Sequence, residues 1–309
     1  MIGDIIIKLG RFLLLLWLCI LVQPEEVSEA PLGRPLYVFV HIPRTGGVAF
    51  GAAMSEVVGK KSVCHMRHAF QSNEPWPNLL GRLALEPALQ QELNESMSRC
   101  DVLWDHFDYS VPQLLQRVTN RKLHVITQLR KPVDRFLSSH FKQFRSKGPE
   151  GAHSELQRRI TAMENGVEST TKHMLLGYLS GCATPFDLTL FRENCADADG
   201  IYAAALKSVQ NTTFLGLSTD PAAALRKFFR ESDFATRLPV TVLSELSRKA
   251  AVPERWYANV ATDDDRARLA SVFEQDELLY RAAEAKVRGV SATAKSSQQQ
   301  PKQQAPAEL

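Results

Sequence analysis

Apolar strand patterns that alternate with helical patterns constrain the fold of this 309-residue chain more than any other feature. The runs at 36–41 and 122–129 are rich in β-branched and aromatic residues and have the length of buried strands. Weaker strand patterns occupy 101–104 and 212–217. Because helical patterns separate these runs, the sequence predicts an α/β fold with a central, mostly parallel sheet flanked by helices.

Helical patterns follow both strong strands. After the first strand, four apolar residues share one helical face: Phe50, Met54, Val57 and Val58. Gly59 is predicted to end this helix, and Pro132 is predicted in the first turn of the helix after the second strong strand. Further helices are predicted at 153–164, 169–180, 200–209, 220–231 and roughly 263–288.

The first 35 residues are predicted to lie outside the globular domain, as a leader followed by a short stem. The apolar run at 12–22 has 11 residues and would rise only about 17 Å as a helix, short of the roughly 30 Å hydrocarbon core. That length is typical of a signal peptide. Alternatively the run begins at Ile5, with Lys8 and Arg11 at the cytosolic face, and forms a short, uncleaved signal anchor. Both interpretations send the domain into the secretory pathway.

The globular domain is predicted to span 36–288, and the Gln-, Pro- and Lys-rich tail at 289–309 is predicted to be disordered. With 44% apolar and 23% charged residues, the chain has an ordinary globular composition. The net charge of +3 is too small to indicate a nucleic-acid partner. Two glycosylation sequons, at Asn94 and Asn211, agree with a lumenal domain.

Four cysteines beyond the apolar run suit an oxidising lumen: Cys64, Cys100, Cys182 and Cys195. Four thiols allow three pairings, and we predict a Cys182–Cys195 disulfide because these two residues bracket one loop. Zinc binding is the alternative, but no CxxC or HxxxH spacing supports it.

The turn after the first strand has the features of an anion site. Gly46 and Gly47 let the backbone approach a ligand closely, and the following helix points unpaired N–H groups and its positive dipole end at the same place. Arg44 adds a permanent charge with a planar donor fork. The alternative is a simple tight turn, and the GxxxxGK[ST] pattern of a Walker A loop is absent.

The segment at 125–141 repeats this arrangement. Arg130 ends the second strong strand, a Pro-started helix follows, and Ser138 lies about two turns into it. Arg130 could bind a second anion with help from the Ser138 hydroxyl. The alternatives are a surface ion pair for Arg130 and an ordinary exposed helix serine for Ser138. Since ligands of parallel sheets bind beyond the carboxyl ends of strands, two such sites predict one ligand with two separated phosphate-like groups.

Both stretches resemble motifs of one known family. "HIPRTGG", 41–47, resembles the loop that binds the 5′-phosphosulfate end of 3′-phosphoadenosine-5′-phosphosulfate (PAPS) in Golgi carbohydrate sulfotransferases. "TQLRKPVDRFLSSHF", 127–141, resembles their 3′-phosphate motif, and the nearest subgroup is the heparan sulfate 2-O- and 6-O-sulfotransferases. With weaker similarities, the resemblance spans about 36–285.

The resemblance implies a P-loop-NTPase-like sulfotransferase fold, PAPS as the sulfuryl donor without a metal, and a carbohydrate acceptor. It also implies a Golgi membrane protein with a single type II span and a lumenal domain, or a secreted protein if the leader is cleaved. The implied roles are charge neutralisation at the bridging oxygen and 5′-phosphate by Arg44, and binding of the 3′-phosphate by Arg130 and Ser138. The implied donor-binding residues of the first turn are Arg44, Thr45, Gly46, Gly47 and Val48.

The first motif departs from the family at three positions. The family usually has Lys in place of Arg44, and hydroxyl residues in place of Val48 and Ala49. Arg44 keeps the charge but changes its reach, and Val48 lacks a side-chain hydrogen bond that backbone N–H groups could replace. These departures keep an alternative open, a catalytically weak or inactive member that binds the nucleotide or a sulfated glycan. A P-loop-like nucleotide kinase is a further alternative, which the leader and the missing Walker lysine disfavour.

Sulfuryl transfer to an alcohol needs a general base, and we predict His106 in that role, beside Arg44 as the second catalytic residue. His106 follows a short apolar strand, and the family places a histidine in a comparable stretch. A structural histidine is the alternative, with His65, His68 and His140 as rival bases. Asp105 could orient His106 or cap the turn.

The acceptor groove is less defined by the sequence. Its basic candidates are Arg67, His68, Lys142, Arg145 and Lys147, for which a solvated basic face is the alternative. Trp76 could stack on a sugar ring or pack within its loop.

Overall fold

A computed structural model describes residues 33–65, 86–167, 174–182, 198–232, 234 and 260–289. Its five strands form one sheet with the order β2-β3-β1-β4-β5. The strands are β1 (Leu36–Val40), β2 (Val63–His65), β3 (Val102–Asp105), β4 (Leu123–Leu129) and β5 (Phe214–Leu217). Every neighbouring pair is parallel, so the predicted mostly parallel sheet is confirmed.

Ten α-helices connect and cover these strands within the described residues. They are α1 (Gly47–Val58), α2 (Pro87–Met97), α3 (Ser110–Val118), α4 (Pro132–Phe144), α5 (Gly148–Glu164), α6 (Met174–Ser180), α7 (Ala198–Asn211), α8 (Pro221–Glu231), α9 (Asp263–Val272) and α10 (Glu274–Val287). A short 3₁₀ helix, Arg145–Lys147, joins α4 to α5. None of the described helices is long and apolar enough to span a bilayer, and the apolar run at 12–22 lies outside the described residues.

Side chains of β1 alternate between two cores, one on each face of the sheet. Tyr37 and Phe39 pack with apolar residues of α1 and α8. Leu36, Val38 and Val40 pack on the opposite face with residues of α2, α3, α6, α7 and α10. Burial on both faces explains why β1 reads as a continuous apolar run rather than an alternating one. The prediction of helices on both faces of the sheet is therefore confirmed.

A third core lies beside the sheet and holds α4 in place. It is formed by α4, α5 and α9 and includes Phe136, Leu137, Leu156 and Phe273. The rings of Phe136 and Phe273 are 5.4 Å apart. This packing matters for function because α4 carries Ser138.

The connections after β1 and β4 leave the sheet in opposite directions. From β1 the chain passes through α1 on one face to the edge strand β2, and from β4 it passes to the other edge strand, β5, by way of α7 on the opposite face. In parallel sheets such a divergence opens a crevice at the carboxyl ends of the two strands. The turns that carry Arg44 and Arg130 lie at these two ends.

A disulfide joins Cys64 of β2 to Cys100, which precedes β3. This pairing excludes two of the three that four thiols allow. Cys182 is also disulfide-bonded, but Cys195 lies outside the described residues, so the Cys182–Cys195 pairing stays a prediction.

The pattern at 263–288 was predicted as one helix, and that prediction is wrong in one respect. The chain forms α9 and α10, which are separated at Phe273, where ψ is 23° and the ring is fully buried against α4. The start is well defined, because Thr262 and Asp265 form a reciprocal capping box. The sequence patterns also missed β2, α2 and α3. Residues 1–32 and 290–309 lie outside the described residues.

Candidate functional site

The turn between β1 and α1 is held in a defined shape by its own residues. Arg44 has a φ of 69°, in the left-handed region that a residue with a side chain rarely occupies. Thr45 is fully buried and donates its hydroxyl hydrogen bond to the carbonyl of Ile42 at 2.8 Å. This bond closes the turn and uses the Thr45 hydroxyl proton, while the backbone bend presents Arg44 at the edge of the sheet. Strained backbone conformations such as the positive φ of Arg44 cluster at functional sites.

Both glycines of the turn are needed for a physical reason. Gly46, with a φ of +92°, is the N-cap residue of α1 and makes no side-chain capping bond. A Cβ on Gly47 would lie 2.0 Å from Cδ2 of His41, so the imidazole occupies the place of a side chain. The first N–H groups of α1, those of Gly47 and Val48, precede the first helical bonds and lack partners within the helix. The side chain of Val48 is outside the described residues.

Arg44 and Ser138 are 94 positions apart in the sequence and in direct contact. Nε of Arg44 donates to Oγ of Ser138 at 3.2 Å, and Nη2 donates to the same oxygen at 2.8 Å. The two predicted anion motifs therefore meet at one site. Arg130 follows β4 directly, at the same edge of the sheet, and is half-buried. All predicted residues of both motifs lie at the carboxyl ends of β1 and β4 or in the helices that follow them.

A buried arginine lies behind this edge. Arg135 of α4 is 1% exposed and donates from Nη1 to the Met174 sulfur at 2.9 Å. Burial lowers its pKa to about 10, against an opposing effect from the buried carboxylate of Asp276. Burial raises the pKa of Asp276 to about 6, although its oxygens accept the backbone N–H groups of Leu175 and Leu176. These groups tie α4, α6 and α10 together behind the crevice.

His106 lies just after β3 and is anchored to the end of β1. Its Nδ1 is 2.9 Å from the carbonyl oxygen of His41. Because a carbonyl oxygen only accepts, the neutral imidazole carries its proton on Nδ1 and keeps the lone pair on Nε2. Asp105 accepts the backbone N–H of His106 at 2.8 Å, so this contact of Asp105 caps the turn rather than orients the ring. His106 is exposed, as contact with a substrate requires.

The sequence analysis overlooked His41, which the structure places beneath His106. The two rings stack with centroids 4.1 Å apart. Burial, with a smaller contribution from the neighbouring His106, lowers the pKa of His41 to about 3. The neutral ring of His41 thus stacks on His106 and also contacts Gly47. The signal was present in the motif "HIPRTGG", but a histidine at the end of an apolar run reads as part of a strand.

The sequence analysis also overlooked Gln128, the penultimate residue of β4. It is 1% exposed, and both Nε2 and Oε1 lack a hydrogen-bond partner. A Cβ on Gly46 would lie 3.5 Å from each of these atoms, so the carboxamide faces the N-cap of α1. The pattern at 122–129 could not reveal this feature, because the lack of a hydrogen-bond partner depends on the residues that pack around Gln128.

The rival bases lie in different surroundings. His140 is fully buried and its Nε2 lies 2.8 Å from the carbonyl oxygen of Ala152, which is a structural role. His65 ends the edge strand β2 and packs on the Trp104 ring at 4.5 Å. The predicted residues Arg67, His68 and Trp76 are outside the described residues. Lys142, Arg145 and Lys147 are exposed at the end of α4 and in the following turn, and Lys147 pairs with Glu155 at 3.8 Å.

Two cavities are lined by residues other than those predicted for the site. One, of about 570 Å³, is lined by residues at the start of α4 and by α9 and α10, including Lys131 and Arg266. The other, of about 1050 Å³, lies between α3 and α7. Neither is lined by the predicted site residues, so we base the site on hydrogen bonds and burial at the crevice rather than on cavity size.

Comparison with known proteins identifies no family for this chain. No family model matches the chain, and no curated protein matches it. The chemistry of the residues at the carboxyl edge of the sheet therefore carries the functional proposal, together with the resemblance of the two short motifs.

Proposed function

We propose that the chain is a PAPS-dependent carbohydrate O-sulfotransferase of the secretory pathway, with the P-loop-NTPase-like fold of the family that its motifs resemble. The proposed location is the Golgi membrane, with the domain in the lumen, or the secreted space after cleavage of the leader. The observation that carries the proposal is the contact between Arg44 and Ser138. Arg44 is proposed to bind the 5′ end of the donor, and Ser138 is proposed to bind its 3′-phosphate. The two residues must lie close together if one ligand is to contact both motifs.

The residues of the crevice suit a nucleotide with two separate anionic groups. When bound, PAPS would supply a sulfuryl group attached to a phosphate leaving group. Arg44 offers a permanent charge, and the N–H groups at the start of α1 offer donors without partners in the helix. Because Ser138 Oγ accepts from Arg44, its own hydroxyl proton is left for donation to a phosphate oxygen. Arg130 brings a second cation to the adjacent strand end.

His106 suits the role of general base. Its Nδ1 is held by the His41 carbonyl, which directs the basic Nε2 away from that bond. Nε2 can accept the proton of an acceptor hydroxyl as the oxygen attacks sulfur, while Arg44 stabilises the negative charge that develops on the leaving phosphate. The products are a sulfate ester, adenosine 3′,5′-bisphosphate and a proton.

Transfer of sulfur-35 from labelled PAPS to a panel of glycans by the full-length chain tests the proposal. We expect transfer by the wild type, and a kcat lower by about 10²–10⁴-fold in His106→Gln with unchanged binding of adenosine 3′,5′-bisphosphate. His65→Gln is the matched control, because it removes an imidazole from the edge strand β2 and should leave kcat unchanged.

The outcomes separate the alternatives. Binding of adenosine 3′,5′-bisphosphate without transfer to any acceptor would support an inactive nucleotide-binding member, and magnesium-dependent ATP binding would support a kinase. Failure of the wild type to bind adenosine 3′,5′-bisphosphate would contradict the proposal as a whole.

A further inference from the structure

The buried carboxamide of Gln128 has no hydrogen-bonding partner in the described part of the chain, although its surroundings exclude water contact almost completely. The side chain is 1% exposed, and neither Nε2 nor Oε1 makes a hydrogen bond. Across the strand pair, Gln128 stands opposite Gly216 of β5, which has no side chain to bond it. Leaving both atoms of a buried amide unpaired is costly, and native structures seldom do so without a functional reason.

The carboxamide faces the start of α1. Gln128 lies two residues after Ile126 in β4, so both point to the face of the sheet that α1 covers. The two terminal atoms lie 3.5 Å from the position that a Cβ on Gly46 would take. Gly46 is the N-cap of α1 and makes no side-chain capping bond. The unpaired amide therefore adjoins the start of a 12-residue helix, where the first N–H groups lack partners within the helix.

We infer that Gln128 is a ligand-binding residue whose Nε2 donates a hydrogen bond to an oxygen of the anion held at the N-terminus of α1. A sulfate or phosphate ester presents oxygens that accept from the helix N–H groups, from Arg44 and from Nε2 at the same time. The identity of this anion as the 5′ end of PAPS rests on the proposed function. The proposed contact with an oxyanion rests on the position of the unpaired carboxamide beside Gly46 and does not depend on that identity.

This role predicts opposite effects on stability and on binding. Met has nearly the length of Gln and makes no strong hydrogen bonds, so Gln128→Met removes the unpaired amide without leaving a cavity. We expect Gln128→Met to unfold at the same or a higher temperature than the wild type. We expect the Kd for adenosine 3′,5′-bisphosphate to rise by about tenfold to a hundredfold, as for loss of a hydrogen bond to a charged group. Gln116→Met, in an exposed position of α3, is the matched control and should change neither quantity.

Calorimetric titration of the full-length proteins with adenosine 3′,5′-bisphosphate, and separately with inorganic sulfate, tests the inference. If the wild type binds only sulfate, and Gln128→Met weakens that binding, the inference holds while the proposed donor fails. If the nucleotide binds the wild type and Gln128→Met equally well, the inference is overturned and the proposed function stands. A lower melting temperature with unchanged affinity would indicate a purely structural residue, and absence of binding by either probe would also overturn the inference.

A measurement on the wild type alone covers the case in which the variant does not fold. The side-chain amide signals of Gln128 in ¹⁵N-labelled protein should shift on addition of sulfate or nucleotide. Unchanged signals at saturating ligand would overturn the inference.

Discussion

At the residue scale, His41 and His106 have opposite environments although their rings stack. His41 is 3% exposed, whereas His106 is exposed at the edge of the sheet. Burial is the larger cause and His106 the smaller one of a shift that lowers the pKa of His41 to about 3. His41 thus contributes no charge at neutral pH, and its ring and carbonyl group position His106.

The environment of His41 predicts a loss of stability in acid. Below its ordinary pKa of 6.5, the unfolded chain takes up a proton at His41 that the folded chain does not take up until about pH 3. Stability from this residue is therefore complete above pH 6.5 and falls by about 1.4 kcal/mol per pH unit below it, about 2–3 kcal/mol by pH 4.5. Urea unfolding of the wild type and His41→Gln at several pH values measures the difference, and parallel pH curves would contradict the prediction.

The two sequons differ in accessibility. Asn94 is half-buried in α2, and its Nδ2 donates to the carbonyl oxygen of Val118 at 2.6 Å. Asn211 is exposed at the end of α7, next to the exposed Thr213. In a eukaryotic secretory host we expect a glycan on Asn211 and none on Asn94. Mass analysis should show the glycan in Asn94→Gln and its loss in Asn211→Gln, and the reverse result would contradict the packing of α2.

At the element scale, a carboxylate from α10 holds the first turn of α6. Asp276 is fully buried, and its two oxygens accept from the N–H groups of Leu175 and Leu176 at 3.1 and 2.9 Å. A negative charge at this end of a helix also complements the helix dipole. Arg135 of α4 lies close enough for its charge to lower the pKa of Asp276 against the effect of burial. One side chain thus links three helices.

Loss of this carboxylate should destabilise the whole domain. Asp276→Ala leaves two buried N–H groups and the buried Arg135 without their acceptor or counter-charge, which we expect to cost about 3–5 kcal/mol. Asp276→Asn keeps one acceptor and the shape of the side chain, so it should cost less. Denaturant unfolding at pH 7 measures both variants, and a cost below about 1 kcal/mol for Asp276→Ala would contradict this account.

The elements differed in how well the sequence predicted them. Strands β1 and β4 were predicted within one residue of their ends, because both are runs of strand length rich in β-branched or aromatic residues. The helix α1 and its end at Gly59 were also predicted, since its apolar residues keep helical spacing. The three-residue strand β2 and the helices α2 and α3 were missed. β2 is too short for periodicity to show, and only contact with β3 makes it a strand.

At the scale of the whole molecule, the Cys64–Cys100 disulfide closes a loop across the β2 edge of the sheet. The cysteines are 36 positions apart, with Cα atoms separated by 5.8 Å. Cys100 is fully buried in the core that holds α2 and α3. The crosslink connects the edge strand β2 to the start of β3, which carries His106 at its far end.

Removal of this disulfide should lower the stability of the domain. For a loop of this length we expect the double variant Cys64→Ala and Cys100→Ala to have a free energy of unfolding lower by about 3–4 kcal/mol. The main reason is that the unfolded chain gains conformational entropy when the crosslink is absent. Denaturant unfolding measures the change, and peptide mapping of the unreduced wild type should recover the Cys64–Cys100 pair. Free thiols at both positions in protein from an oxidising compartment would contradict the prediction.

The sequence by itself determined the α/β class, the parallel sheet and the position of two basic turns at strand ends, because these depend on local periodicity and on residue type. The proposed donor and acceptor remain predictions at this level. Only the tertiary structure decided that β1 lies between β3 and β4, that Arg44 meets Ser138, and that His41 lies under His106. The tertiary structure alone also placed the unpaired amide of Gln128 beside Gly46. Contacts across tens of residues depend on strand order and helix packing, and no local pattern in the chain encodes them.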